Sequence, residues 1–291
     1  MKIKELALLF ENDLRQLYGN DEAKSLFLLA LEHITKLNRA AFFLNSDKEL
    51  TPPELKELKQ ILDQLETGKP IQYIIGETVF YRLIFKVNEF VLIPRPETEE
   101  LVEWVIERVN SSRLPSLRQS FNILDIGTGS GCIAISLKKN LANAAVTALD
   151  ISSEALRLAQ KNAIINKVEL TFIETDILEI PTDLNHSKYN IIISNPPYIT
   201  QREKDEMHEN VLANEPHLAL FVSNEQPLIF YEAIADLALT NLLNEGFLFF
   251  EINEHLGKET INMLLTKGFI NIILRKDMQG KDRMICAQLP N

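Results

Sequence analysis

Asn122-Ile123-Leu124-Asp125-Ile126-Gly127-Thr128-Gly129-Ser130-Gly131-Cys132 carries an apolar run straight into a glycine-rich turn and out into helical spacing. The same step recurs downstream: strand patterns over 122–126, 145–149, 169–173 and 190–194 are interleaved with helical patterns over 132–139 and 153–165. A strand that returns to its sheet through a helix runs parallel to its predecessor, so the alternation predicts a doubly wound, mainly parallel α/β sheet. A helix over 227–243, a strand over 246–252 and a helix over 256–266 follow, then strands over 269–274 and 283–288 that turn near Gln279-Gly280. With no crossover helix that last pair is antiparallel, which predicts seven strands with a C-terminal hairpin at one sheet edge. Helical spacing also covers 97–110, and the Ser- and Arg-rich residues 111–120 read as a solvated connection.

Toward the N-terminus the period changes. Leu6, Leu9, Phe10, Leu14 and Leu17, then Leu26, Leu29, Ala30, His33 and Leu37, recur at helical spacing. Tyr18-Gly19-Asn20-Asp21 offers a C-terminal glycine and a new cap, and Thr51-Pro52-Pro53-Glu54 a cap, an early proline and a first-turn acid. These signals predict three or four helices in a small all-α domain over 1–71. Short β-rich runs over 78–81, 84–87 and 90–93, with Asn88-Glu89 as a tight turn, predict a β-hairpin linker over 72–95. The sheet domain then spans 96–291. There is no internal repeat.

The 291 residues are 46% hydrophobic and 24% charged, ordinary values for a globular chain. No apolar run approaches the roughly 18 residues of a membrane span. The opening Met1-Lys2-Ile3-Lys4-Glu5 turns acidic and amphipathic where a secretory leader stays apolar, so a cytoplasmic protein is expected. Cys132 and Cys286 cannot build a framework of disulfides, which fits a reducing compartment. The histidines, His33, His186, His208, His217 and His255, lack metal-ligand spacing; no metal is expected, and each reads as solvated or singly hydrogen-bonded. With 30 basic against 41 acidic residues the net charge is -11, which argues against a phosphate backbone as partner.

In the 125–131 loop, glycines permit the turn and let a ligand approach the backbone. A dinucleotide fingerprint wants its third glycine one residue later, where Cys132 stands; the G-x-G-x-G spacing behind an acid favours S-adenosylmethionine, which has no pyrophosphate to seat on the helix. Asp150, ending the next strand, is suited to accept from both ribose hydroxyls; a glycine-rich turn with Asp150 as a mere helix cap is the competing account. Asp176 is a candidate for the adenine amino group or, equally, a loop acid. Cys132 lacks a basic partner and reads as packed rather than reactive.

Ile191-Ile192-Ile193-Ser194 runs an apolar strand into Asn195-Pro196-Pro197-Tyr198. The prolines stop the strand, fix local φ and remove two donors, which leaves a stiff array of acceptors at the strand's carboxyl end, where ligands bind in open α/β sheets. An amide nitrogen is a poor nucleophile because its lone pair is delocalised. Two N–H bonds, to the Asn195 side-chain oxygen and the Pro196 carbonyl, would turn that lone pair toward an electrophilic methyl group, with Tyr198 as a flat wall. Asn195, Pro196 and Tyr198 are thus the expected catalytic set.

These residues resemble the release factor glutamine methyltransferases, the HemK or PrmC family, over nearly the whole chain. The resemblance includes Gly68-Lys69-Pro70-Ile71-Gln72-Tyr73-Ile74-Ile75-Gly76, Phe80, Leu92-Ile93-Pro94-Arg95-Pro96-Glu97-Thr98-Glu99, the glycine loop and the tetrapeptide, and 94–99 is its most discriminating part. It implies a Rossmann-like methyltransferase fold. It also implies methylation of the glutamine amide in the Gly-Gly-Gln loop of class I peptide chain release factors, with the helical domain helping to dock that partner. It carries cofactor contact to Gly127, Gly129, Gly131 and Asp150; the full set expected to bind the cofactor adds Asp125, Thr128, Ser130, Ile151, Asp176, Ile177 and Asn195. Substrate contacts fall to Asn195, Pro196, Pro197 and Tyr198, with Arg95 and Glu97 in the pocket wall or, as readily, in a salt-bridged helix entry. Asn214-Glu215-Pro216 resembles the family's loop beyond the tetrapeptide, whereas Glu251-Ile252-Asn253-Glu254-His255 departs from its usual glycine and glutamine. An adenine or guanine amino-methyltransferase, or a non-catalytic binding protein on the same fold, are the competing readings.

Overall fold

The computed structural model describes residues 1–111, 117, 120–179, 184, 187–207 and 209–291. Most of the expected connection at 111–120 lies outside those residues, as do His186 and His208. The chain forms two units, Met1–Glu77 with Met207–Asn214, and Thr78–Glu206 with Glu215–Asn291.

In the first unit α1 (Ile3–Thr35) is broken at Gly19, whose φ of 77° and ψ of 173° interrupt the helical path where the sequence predicted a boundary. It is followed by α2 (Arg39–Asn45), α3 (Pro52–Glu66) and α4 (Ile71–Ile75). Thr51 and Glu54 close a reciprocal capping box at the start of α3: the Glu54 carboxylate accepts from the Thr51 N–H at 2.8 Å and the Thr51 hydroxyl from the Glu54 N–H at 3.4 Å. Leu6, Phe10, Leu14, Phe27, Leu31, Leu58 and Leu65 form the core, with Phe10 and Phe27 edge to face at 5.2 Å. Residues 207–214 pack into this unit, where the Asn214 Nδ2 donates to the Gly68 carbonyl at 3.1 Å.

The second unit begins with the hairpin of β1 (Glu77–Phe80) and β2 (Leu83–Lys86). Its turn is Tyr81-Arg82, both at positive φ, not Asn88-Glu89. The third expected run, 90–93, is not a strand. There the Asn88 side chain accepts from the Phe90 N–H at 3.2 Å and the Asn88 carbonyl from the Val91 N–H at 3.1 Å, a local turn that competes with strand pairing. Phe80 and Phe85 of the hairpin are fully buried in the core of this unit, so it is part of the domain that it was expected to join.

After it come α5 (Pro96–Ser111), β3 (Phe121–Ile126), α6 (Cys132–Asn140), β4 (Ala144–Asp150), α7 (Ser153–Asn166), β5 (Thr171–Glu174) and β6 (Tyr189–Ser194). Next are β7 (Ile199–Thr200), α8 (Glu209–Asn214), β8 (Phe221–Val222), α9 (Ile229–Asn241), β9 (Leu242–Glu251), α10 (Gly257–Thr266), β10 (Ile270–Lys276) and β11 (Asp282–Gln288). The seven-stranded sheet has the order β10-β11-β9-β6-β3-β4-β5; β11 alone runs opposite to the other six strands. Both faces are covered, Ile123, Ile191, Ile193 and Phe249 pointing into one core and Leu124, Ile192, Leu248 and Phe250 into the other.

Strand order reverses at β3, which pairs with β4 on one side and β6 on the other. Ile126 is level with Ser194, so the glycine loop and the tetrapeptide leave the sheet side by side at the switch point, where an open α/β sheet leaves a crevice. Among the described residues no helix is long and apolar enough to cross a membrane.

Candidate active site

A cavity of about 320 Å³ occupies that crevice. Gly127, Gly129, Asp150, Ile151, Asp176, Ile177 and Asn195 line it, together with Pro196 and Pro197. The other four expected cofactor residues, Asp125, Thr128, Ser130 and Gly131, are not in its wall. They build the loop instead. The Asp125 Oδ2 accepts from the Thr128 hydroxyl at 2.7 Å and the Ala134 N–H at 3.2 Å, tying strand end, loop and helix start together. A side chain at Gly131, whose φ is +81°, would put its Cβ 2.9 Å from the Ile135 Cδ1 and 3.1 Å from the Ala159 Cβ. At Gly127, φ +73°, nothing lies within 4 Å of such a Cβ, so that glycine keeps the cavity floor open.

Asp150 is held from both sides: Oδ2 accepts from the Gly129 N–H at 2.8 Å and Oδ1 from the Ser152 N–H at 2.9 Å. Burial nonetheless pushes its carboxyl above the usual range. Asp176 uses Oδ1 to accept from the Leu178 N–H at 2.9 Å, so it is both a loop acid and a cavity residue. Burial also raises Asp125, to about 7, and its Oδ1 has no hydrogen-bond partner. A slot walled by Ile151, Ile177, Leu178 and Ala155, with two carboxylates on adjacent strand ends and an orphaned buried acceptor beneath the glycine loop, fits a nucleoside bearing positive charge. Cys132 is buried and its thiol is pushed up to about 12, as a packed rather than a reactive cysteine.

Asn195 follows β6 directly. Its Nδ2 donates to the Thr98 Oγ1 at 3.3 Å; Thr98 donates in turn to the Glu251 Oε2 at 2.7 Å, and the Tyr198 hydroxyl donates to the Glu251 Oε1 at 3.1 Å. Tyr198 was expected to face a substrate, but it is not in the cavity wall: its ring packs against the apolar core beside β9 and its hydroxyl is taken up by Glu251. Arg95 and Glu97 are also absent from the wall. Arg95 pairs with the buried carboxylate of Glu215, which also accepts from the Ile93 N–H at 3.3 Å, and Glu97 accepts from Gln279 at 3.4 Å. Both sit at the entry to α5, the alternative that the sequence had left open. No group of three or more His, Cys, Asp or Glu among the described residues is arranged to hold a metal ion.

Sequence reasoning missed Phe90, Val91, Pro216, Leu218 and Phe230 in the wall, and Thr98 and Glu251 behind Asn195. Pro216 and Leu218 come from a connection with no periodic signal, Phe90 and Val91 from the run expected as a strand, and Phe230 from the first turn of α9. Glu251 did carry a signal: an acid that ends a buried strand, as Asp150 does.

A family model described as "Methyltransferase small domain" matches residues 109–220, and one described as "PrmC N-terminal domain" matches residues 9–76. The chain is 51% identical to a release factor glutamine methyltransferase of Flavobacterium psychrophilum, over 98% of both chains. It is 41% identical to one of Bacteroides thetaiotaomicron, over 94% of this chain and 95% of the relative. Among solved structures, a Thermus thermophilus 16S rRNA methyltransferase in complex with AdoMet and guanosine has a TM-score of 0.52 at 18% identity, covering 73% of this chain and 49% of that one, a likeness of fold.

Proposed function

The chain belongs to the release factor glutamine methyltransferase family, and we propose that it methylates, from S-adenosylmethionine, the glutamine side-chain amide in the Gly-Gly-Gln loop of class I release factors. The observation that carries this reading is that Asn195 and Pro196 border the same cavity as Gly127 and Asp150. When bound, the cofactor supplies an electrophilic methyl group on a sulfonium. Gly127 and Gly129 would underlie it, Asp150 would accept from the ribose hydroxyls and Asp176 from the adenine amino group, with Ile151 and Ile177 against the flat base.

The chain's work on the substrate is alignment. The Asn195 Oδ1 and the Pro196 carbonyl accept the two amide hydrogens, which holds the face of the nitrogen, and with it the lone pair, toward the cofactor side of the cavity. Pro196 and Pro197 make that grip stiff, since their φ angles do not vary. Tyr198 holds the loop from behind, through Glu251. The net charge of -11 supports a protein rather than a nucleic-acid partner, reached in the cytoplasm and docked with help from the helical unit.

Incubating the enzyme with cofactor and a release factor, then locating the added methyl group by mass spectrometry, tests this; methyl transfer to rRNA or DNA instead would overturn it. Asn195→Ala should keep cofactor affinity and lose most turnover. Asp150→Ala should weaken the cofactor first, by about 1 to 3 kcal/mol for one or two lost hydrogen bonds. Calorimetry beside turnover separates the two roles.

A further inference from the structure

The two ends of an asparagine amide have almost the same shape, so packing alone does not decide which end faces a cavity. At Asn195 the decision matters. Only the oxygen can accept a substrate N–H; a reversed amide would set one NH2 group against another. Behind Asn195 the hydrogen bonds run in one direction. Thr98 is 2% exposed and Glu251 is 2% exposed. Both oxygens of the Glu251 carboxylate are occupied by hydroxyl donors, Thr98 at 2.7 Å and Tyr198 at 3.1 Å. A threonine hydroxyl has one hydrogen, and Thr98 has given it to Glu251, so toward Asn195 it can only accept. The Nδ2 end must therefore face Thr98, at 3.3 Å, and Oδ1 must point the other way.

We propose that Thr98 and Glu251 are positioning residues that set the polarity of the Asn195 amide, keeping its oxygen toward the substrate. This rests on the reading of Asn195 as the acceptor for the substrate amide. Burial raises the Glu251 carboxyl above the usual range; the two hydroxyl donors and the nearby Arg283, whose guanidinium is anchored by Asp277 at 3.0 Å and Glu254 at 3.3 Å, work the other way, and the ionised carboxylate is acceptor-only. Replacing Glu251 by Gln keeps the shape but puts an NH2 group in the network. That group can donate to Thr98, whose freed hydrogen can then turn to the Asn195 oxygen and stabilise the reversed amide.

The test is methyl transfer to a release factor by the full-length enzyme, with kcat, KM and cofactor affinity measured separately. Thr98→Val and Glu251→Gln should each lower kcat about tenfold or more while KM and cofactor affinity stay within about twofold. Thr98→Ser, which keeps the hydroxyl, should restore most of the loss. In an Asn195→Ala background, Thr98→Val should have no further effect on kcat, because its action passes through Asn195. An unchanged kcat in Thr98→Val or Glu251→Gln, or an equal loss with and without Asn195, would overturn the proposal. The two readings fail differently. If Asn195→Ala keeps its turnover, the acceptor role itself is wrong; if Asn195→Ala loses turnover and Thr98→Val does not, only the polarity mechanism falls. Glu251→Gln is isosteric and keeps the test open should Thr98→Val fold poorly.

Discussion

At the scale of single residues, the site combines side chains that face the cavity with buried acids that never reach it. Asp125 is the clearest of the second kind. Burial holds its carboxyl at about 7 in the folded protein, whereas in the unfolded chain it titrates in the usual range near 4. Between those values the folded state keeps a proton that the unfolded state has lost. The stability this contributes is therefore full on the acid side and is lost as the pH rises through about 7. Asp125→Asn has no such proton. The wild-type chain's stability, measured by urea unfolding relative to that variant, should fall between about pH 5 and about pH 8; a pH-independent difference would remove burial as the dominant influence on this group. Its position ahead of the G-x-G-x-G loop made Asp125 an expected cofactor contact, and its place inside the loop rather than in the wall depended on the direction of one side chain.

At the scale of elements, the glycine loop does two jobs that its spacing does not separate. Gly131→Ala would force a methyl group between α6 and α7 at positive φ, which should cost roughly 2 to 4 kcal/mol of stability in denaturant unfolding. Gly127→Ala meets nothing in the protein and should cost only about 1 to 2 kcal/mol, yet its methyl group enters the cavity and should weaken cofactor binding by calorimetry. Equal losses of stability at the two positions would contradict the packing argument. The seven strands of the large sheet and the helices α6, α7, α9 and α10 were legible because their periods are long and clean, and their observed bounds differ from the expected ones by a few residues; the short β7, α8 and β8 between 199 and 222 had no such signal. The run at 90–93 was not. Its apolar residues fit a strand, but an asparagine turn used the backbone donors first, and Phe90, Val91 and Leu92 went to the cavity wall instead.

At the scale of the whole molecule, the helical unit is not one continuous piece of chain, since residues 207–214 pack into it. At Gly68 that packing is close: a Cβ there would lie 2.5 Å from the Asn210 Oδ1, at a φ of +82°. Asn210 also hydrogen-bonds Tyr18, so it cannot give way without loss. Gly68→Ala should therefore raise hydrogen exchange in α3 and in 207–214 and leave the amides of β3 and β6 as protected as before. Uniform loss of protection would mean that the units do not open separately. By itself the sequence determined the alternation of strands and helices, the glycine loop, the stiff tetrapeptide and the family resemblance, because each is a local pattern of period, spacing or dihedral restriction. Which residues meet across distance was decided only by tertiary structure. Thr98, the turn that carries Asn195 and Tyr198, and Glu251 are far apart in the chain and form one network because β6 and β9 are parallel neighbours with α5 packed against β9, and side-chain direction at such a junction is set by the packing around it.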